Sequence, residues 1–419
     1  MFKKLLSTSA VIALVATTMS GSAYAYATCP KDPNAPKPRT KVMSPSVGKK
    51  VQKAFDAYSE ERIDDAITIL LSVETSKEYD RAYLDRFIAN MYATKGGDFS
   101  KKALPYLASA TKNQVLNEKE HADTVKLLGD LQMQEQQYTK AIKTYADWMA
   151  FSCEEDANTY VKIANAYYSL KQYDKIIAPA NKAIALFDKP NQNPYILKLQ
   201  SYYERKQYKP AVKVLEEVVQ LFPENKQWWT QLGMFYTLVE DYKKALYTLD
   251  MAYKQGYLEK ESEIKMLASL YGQNEVPYKS AKLLEKYIDS GLIQRTEQNM
   301  FTMANAFHAA QEIDTAAKYF GETAKMSNDP KHYRRQGMLL HQSERFSEAT
   351  AALQKALDLG IENKGSVYMT IAEAYFYQEK YTQAARAIAE AQKDPKTAKA
   401  ARAWAQFIRD TADRKKKLG

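Results

Sequence analysis

The sequence is poor in the residues that end helices. Its 419 residues include only 14 glycines and 14 prolines, and several of the prolines lie within the first fifty positions. Glycine and proline are the strongest signals for turns and helix ends. Their scarcity favours helices joined by short loops, and 26% charged with 45% hydrophobic residues fits a folded chain.

Cysteine is scarcer still, since Cys29 and Cys153 are the only two. Two cysteines at this separation form no metal or redox motif. In an oxidising compartment a Cys29–Cys153 disulfide would tie the N-terminal leader to the rest of the chain. The alternative is that both stay reduced, because nothing in the sequence fixes the place of Cys29.

Motifs for catalysis are also missing. The sequence contains no glycine-rich phosphate loop, no HExxH, no nucleophile elbow and no paired-cysteine metal site. His308 and His341 take equivalent positions in adjacent repeats, but no further metal ligands accompany them, and we interpret them as solvated or groove-lining. We therefore predict no enzymatic activity, no cofactor and no metal site.

The first 25 residues have the features of a secretory signal peptide. Lys3 and Lys4 precede an apolar stretch from Leu5 to Met19, and small residues at Ala23, Ala25 and Ala27 supply two cleavage sites. The stretch is too short to span a bilayer comfortably, and no later stretch approaches the length required. The sequence predicts a periplasmic protein whose mature chain has no transmembrane segment.

The net charge is basic. Removal of two lysines with the signal lowers the formal charge from +10 to +8. A basic balance indicates nucleic acid or an anionic surface as a partner, but export argues against nucleic acid. The basic run 414–417 is interpreted as a solvated tail, with contact to acidic lipid or an acidic partner as the alternative.

A repeat of about 35 residues dominates the remainder. Small residues recur 33 to 36 positions apart, and Leu199 stands in one of these slots; the eight slots are Gly129, Ala164, Leu199, Gly233, Ala268, Ala304, Gly337 and Ala372. Most slots are followed three residues later by an aromatic and about twelve residues later by alanine. Such columns predict pairs of amphipathic helices that stack on their neighbours.

These columns resemble the tetratricopeptide (TPR) repeat family. The clearest copy carries the family pattern at Trp229, Leu232, Gly233, Tyr236 and Ala245. The resemblance implies an all-α, right-handed α-α superhelix of about ten helix-turn-helix repeats. The division predicted is a signal peptide over 1–25, a proline-rich linker over 26–46, the solenoid over 47–396, and a capping helix with basic tail over 397–419.

The resemblance also implies a binding site. In the family the first helix of each repeat lines a concave groove that binds peptides. The inward positions that the resemblance implies here are Asn165, Tyr168, Gln200, Tyr203, Phe301, Asn305, Arg334, Met338, His341 and Phe376. Asn305 with Lys331, Arg334 and Arg335 matches part of a carboxylate clamp found in some relatives, but Phe301 stands where that clamp has lysine.

Three functional hypotheses follow. The first is a non-catalytic periplasmic scaffold that binds segments of other cell-envelope proteins. In overall build the chain also resembles exported Gram-negative TPR proteins that accompany TonB, ExbB and ExbD systems. The second is a module that binds glycan or peptidoglycan fragments, and the third is an enzyme with an unrecognised site. The sequence does not decide the oligomeric state.

The signal peptide yields a direct prediction. After expression in a Gram-negative host, we expect the mature chain to begin at Tyr26 or Thr28, because the small residues two positions apart fit the specificity of signal peptidase. Intact-mass measurement and N-terminal sequencing of the periplasmic fraction test this. A chain that keeps Met1 would refute export by cleavage.

Overall fold

The computed structural model describes residues 39–418, and it is entirely helical there, with no strand. The chain divides into two units, residues 1–207 and 208–419. The described part of the first unit contains one short 3₁₀ helix (Tyr173–Ile176) and nine α-helices: α1 (Pro45–Ser59), α2 (Ile63–Leu71), α3 (Glu78–Lys95), α4 (Phe99–Thr111), α5 (Glu118–Gln134), α6 (Tyr138–Ser152), α7 (Ala157–Ser169), α8 (Ile177–Leu186) and α9 (Gln192–Glu204).

The second unit contributes twelve helices. They are α10 (Tyr208–Leu221), α11 (Lys226–Leu238), α12 (Tyr242–Lys254), α13 (Glu261–Gln273), α14 (Pro277–Asp289), α15 (Glu297–Ala309), α16 (Ile313–Ser327), α17 (Pro330–Gln342), α18 (Phe346–Asp358), α19 (Lys364–Tyr377), α20 (Tyr381–Ala391) and α21 (Ala398–Leu418). Within each unit, helices adjacent in sequence pack against one another in chain order. The all-α fold of stacked helix pairs predicted from the repeats is confirmed.

The two ends of the array differ in detail from the expectation. Helix α1 begins at Pro45, inside the predicted linker, because proline fits the first turn of a helix, where its missing N–H is not needed. Helix α21 packs on α20 with Ala401 and Ile408 buried. It continues to Leu418, so the basic run 414–417 is helical, and Lys415 Nζ lies 2.7 Å from Glu379 Oε1. No helix in the described range is long and apolar enough to cross a membrane.

Each turn within a helix pair uses one left-handed residue. In the pair α11–α12, Glu240 has φ 62°, and the next N–H, of Asp241, bonds back to Tyr236 O at 2.9 Å. This bond closes the last turn of the first helix and reverses the chain. The same conformation recurs at the other turns within the two units: Glu61, Gly97, Gln136, Lys171, Glu275, Gln311, Glu344 and Glu379.

The small slots set the distance between paired helices. A Cβ placed on Gly233 would lie 2.5 Å from Leu249 Cδ2, and one on Gly337 would lie 2.5 Å from Leu353 Cγ. The column that follows is fully buried in all eight repeats, at Ala141, Ile176, Ala211, Ala245, Ala281, Ala316, Ala349 and Ala384. Close approach of the backbones therefore depends on small side chains, as interpreted from the sequence.

The aromatic column joins one repeat to the next. Tyr236 and Tyr271 are buried, and their hydroxyls donate to Glu216 and Asp250 on the preceding helices α10 and α12. Burial and these carboxylates raise the pKa of both tyrosines well above the ordinary value. By contrast, Tyr242 and Tyr278, in the first turns of α12 and α14, are 39% and 52% exposed.

Two glycine substitutions test the packing. Gly233→Ala should lower stability by roughly 1–3 kcal/mol, because the new methyl group overlaps Leu249. The matched control is Gly272→Ala in helix α13, where nothing lies within 4 Å and alanine should stabilise by about 0.5–1 kcal/mol. Urea denaturation midpoints compare the two. Equal midpoints would show that the slot does not control the approach of the helices.

Candidate functional site

The ten predicted groove residues all lie on first helices of their repeats. Four are in the first unit, on α7 and α9: Asn165, Tyr168, Gln200 and Tyr203. Six are in the second unit, on α15, α17 and α19: Phe301, Asn305, Arg334, Met338, His341 and Phe376. Contact with a ligand stays a prediction for each of them.

The structure brings four of these residues together in one cleft. Helices α15 and α17 enclose a volume of about 440 Å³. Four further residues line the cleft, and two of them, Lys331 and Arg335, belong to the partial carboxylate clamp noted in the sequence. The full lining is Phe301, Asn305, Asp329, Lys331, His332, Arg334, Arg335 and Met338. We call this set of residues the α15–α17 cleft.

The start of helix α17 fixes the basic wall of the cleft. Asp329 precedes the helix, and its Oδ1 accepts the backbone N–H of Lys331 at 2.7 Å. Pro330 occupies the first helical position, where its fixed φ suits the helix. A capped start of this kind holds the first turns in place, so the side chains of Lys331, Arg334 and Arg335 project from a rigid base.

Phe301 supplies an aromatic wall. Its ring packs edge-on to Phe320, with centroids 5.9 Å apart, and lies 5.1 Å from the ring of His332. His332 is buried, and its Nε2 donates to Glu297 Oε1 at 2.8 Å. No pattern in the sequence indicates that His332 supports this ring. Phe301 is therefore a packed apolar surface at the position where a carboxylate clamp has lysine.

The cations of the cleft are not neutralised. Among residues 39–418, no carboxylate forms an ion pair with Lys331, Arg334 or Arg335. The neighbouring Arg345 shows the contrast, because it contacts both Glu348 and Asp314. The cleft contains three cations and one carboxylate, that of Asp329, which caps α17. The resulting net positive potential favours an anionic group.

His308 extends the site along α15. Arg335 Nη2 donates to His308 Nδ1 at 3.2 Å. Burial first, and the charge of Arg335 second, hold the pKa of His308 below its usual 6.5. The neutral imidazole is thus the stable form beside the cations. No group of three or more metal-binding side chains occurs in the described part of the chain.

The remaining residues predicted for α17 and α19 form an aromatic cluster. His341 packs edge-on against Phe346 at 5.4 Å, and its Nε2 is 3.7 Å from Glu373 Oε2. Phe376 lies at the centre, within 5.2–5.7 Å of four other rings, those of Tyr377, Tyr381, Trp404 and Phe407. Phe376 therefore serves packing against α21, while Tyr377 and Phe407 are about half exposed.

In the first unit, an extended segment of the chain itself is bound. The backbone N–H of Lys41 donates to Asn117 Oδ1 at 2.8 Å, and Asn117 Nδ2 donates to Lys41 O at 3.1 Å. Three residues on, Ser44 donates through its backbone N–H to the buried Asp80 at 3.0 Å. One amide side chain thus satisfies both backbone groups of an extended residue.

Several predictions fall outside the described residues. The signal peptide, most of the linker and Cys29 lie within residues 1–38, so the Cys29–Cys153 pairing stays a prediction. Cys153 itself lies at the C-terminal end of α6 in the left-handed conformation, with φ 55°.

Two family models match parts of the chain. A tetratricopeptide repeat model matches residues 301–364, which contain the α15–α17 cleft, so this part of the chain is similar to TPR repeats. A model of ChAPs (Chs5p-Arf1p-binding proteins) matches residues 173–305. No curated protein matches the chain. The TPR-type fold is generally a non-catalytic scaffold for protein interactions.

Solved structures also resemble the chain at low identity. A chain of Naa15/Naa10 bound to HypK-THB is 11% identical, with TM-score 0.48, covering 88% of this chain and 67% of that one. A TPR protein of Cytophaga hutchinsonii is 14% identical, with TM-score 0.37, covering 58% and 98%. YrrB, a TPR protein with an unusual peptide-binding site, is 17% identical, with TM-score 0.30, covering 58% and 97%.

The contact between Arg335 and His308 predicts a titration effect. In Arg335→Gln the pKa of His308 should rise for two reasons. Protonation of Nδ1 no longer breaks the hydrogen bond from Arg335, and the protonated ring no longer lies beside the positive charge of Arg335. Since the folded pKa lies below the ordinary one, the stability that neutral His308 contributes is complete above about pH 6.5 and is lost as the pH falls. NMR titration measures this pKa, with Arg402→Gln on α21 as the control. An unchanged His308 titration would contradict the contact.

Proposed function

We propose that the chain is a non-catalytic periplasmic scaffold that binds a segment of another cell-envelope protein in the α15–α17 cleft. The observation that carries the proposal is the set of three cations without carboxylate partners beside a fixed aromatic wall. A cleft of this size accommodates a few side chains of an extended segment.

Recognition in the cleft combines charge and apolar contact. Arg334 and Arg335 each present a planar fork of donors that suits a carboxylate, and Lys331 adds a more flexible charge. Phe301 and the half-exposed Met338 provide apolar surface for an adjoining side chain. The segment that fits is therefore acidic, with at least one apolar residue next to its carboxylate.

The hydrogen bonds between Asn117 and the backbone of Lys41 show how an amide side chain in this protein binds an extended segment. Asn117 binds both backbone groups of Lys41 and so does not depend on the identity of that side chain. Asn305 in the α15–α17 cleft uses one amide N–H on Phe301 O at 2.9 Å, which leaves the other donor and acceptor capacity of the amide for a bound segment.

Export and partners are part of the same proposal. The basic start and apolar stretch of residues 1–25 support delivery to the periplasm. Partners are then other envelope proteins, and components of TonB, ExbB and ExbD systems are those suggested by the similarity in build. The family's usual role as a protein-interaction scaffold supports binding without catalysis.

Glycan binding is the second candidate function. Tyr377 and Phe407 are 55% and 48% exposed, and both contact Phe376 in a continuous aromatic cluster. Such rings offer flat apolar surface on which a sugar ring can stack. Saturable quenching of Trp404 fluorescence by peptidoglycan fragments, lost in a Phe407→Ala variant, would favour this function over protein binding.

Photo-crosslinking in living cells tests the scaffold proposal. A benzoylphenylalanine probe at Met338, in the cleft, should give adducts with a small set of envelope proteins. The matched control is Met326 on α16, a methionine of nearly equal exposure, 46% against 45%, outside the cleft. Addition of Arg334→Glu should remove the Met338 adducts by repelling an acidic segment. Equal adducts at both positions, or none at Met338, would refute the proposal.

A further inference from the structure

A second basic cleft lies between the last two helices. An open cleft of about 850 Å³ lies along helices α20 and α21. Five of its lining side chains are cationic and one is anionic: Lys380, Arg386, Arg409, Lys415 and Lys416, with Glu379. This cleft uses none of the residues of the α15–α17 cleft and is independent of the function proposed above.

The charge in this second cleft is largely uncompensated. Glu379 is occupied by Lys415 at 2.7 Å, and the lining keeps a net charge of +4. In the described part of the chain, Lys380 and Arg409 donate hydrogen bonds to the neutral side chains of Gln378 and Gln406. Within residues 39–418 no ion pair involves Arg386 or Lys416. The aspartates of α21, Asp410 and Asp413, do not line the cleft.

Two helices hold these cations face to face. Arg386 projects from α20, whereas Arg409 and Lys416 project from α21, and the floor between them consists of small or apolar side chains: Ala385, Ala389, Ile408 and Ala412. Ile408 is buried against α20 and fixes the spacing. Like charges on the two sides of a cleft repel, and an anion placed between them relieves that repulsion.

We infer that the α20–α21 cleft binds a compact polyanion that carries phosphate groups. A phosphate monoester brings about −1.5 to −2 charges and three acceptor oxygens, so two such groups neutralise the lining where two carboxylates do not. Arginine and lysine are the usual phosphate partners. The phosphate belongs either to a lipid headgroup or to a free phosphorylated solute.

Binding measurements with the full chain separate these sources. The soluble probe is inorganic tripolyphosphate in calorimetry. The membrane probe is vesicles of 30% phosphatidic acid, whose headgroup is a phosphate monoester, in phosphatidylcholine, compared with pure phosphatidylcholine, in a sedimentation assay. The test variant is Arg386→Gln/Arg409→Gln/Lys416→Gln. The control variant, Lys49→Gln/Lys50→Gln/Lys53→Gln, also removes three positive charges, but from exposed positions on α1.

We expect the test variant to bind on the order of 100-fold more weakly than the parent. Each of the three cations contributes about 1 kcal/mol, and about 1.4 kcal/mol corresponds to a tenfold change in affinity. The control variant should bind like the parent. Loss for tripolyphosphate assigns a soluble ligand, and loss for vesicles alone assigns a headgroup. Equal weakening in both variants, no binding of either probe, or equally tight binding of a tetra-aspartate peptide would overturn it. Far-UV circular dichroism confirms that both variants fold.

Discussion

The close approach of paired helices at one small side chain per repeat is the constraint on which the rest of this structure depends. At Gly233 and Gly337 the space for a Cβ is already taken by leucine side chains of the partner helix. With the alanine column fully buried opposite, each pair has one permitted separation. Left-handed turn residues, most of them not glycine, are tolerated at about 1–2 kcal/mol each because pair packing outweighs that cost.

The fixed spacing of the helices places three surface cations of α17 in one cleft. Lys331, Arg334 and Arg335 would be unremarkable on an isolated helix, where water screens them and rotation about the helix axis is free. Packing places them opposite Phe301 and Asn305 of the preceding repeat, with His332 and Phe320 holding the aromatic ring. A site of this kind changes its specificity through surface residues without disturbing the core, which suits a scaffold for partner proteins.

The fold was predictable from the sequence because its determinants repeat. The glycine, aromatic and alanine columns each reflect one packing contact that is made many times. A departure at a single position, such as Leu199 in a slot for a small residue, therefore does not obscure the repeat. Contacts made once were not predictable. Lys41 and Asn117 are 76 positions apart, and nothing marks either as a partner. Likewise Arg386 and Arg409 are two exposed arginines among many until α21 packs on α20, and the support of Phe301 by His332 depends on the rotation of α17.

Whether the cations of the α15–α17 cleft bind the partner segment is tested most directly by affinity at low and high salt, measured with the purified chain and with the segment synthesised as a peptide once crosslinking has identified it. We expect the affinity to fall as salt rises, because partly exposed charges are screened. We also expect Lys331→Gln/Arg334→Gln/Arg335→Gln to weaken binding on the order of 10- to 100-fold and to remove most of the salt dependence. Binding that is insensitive to both salt and these substitutions would show that the cations do not bind the segment.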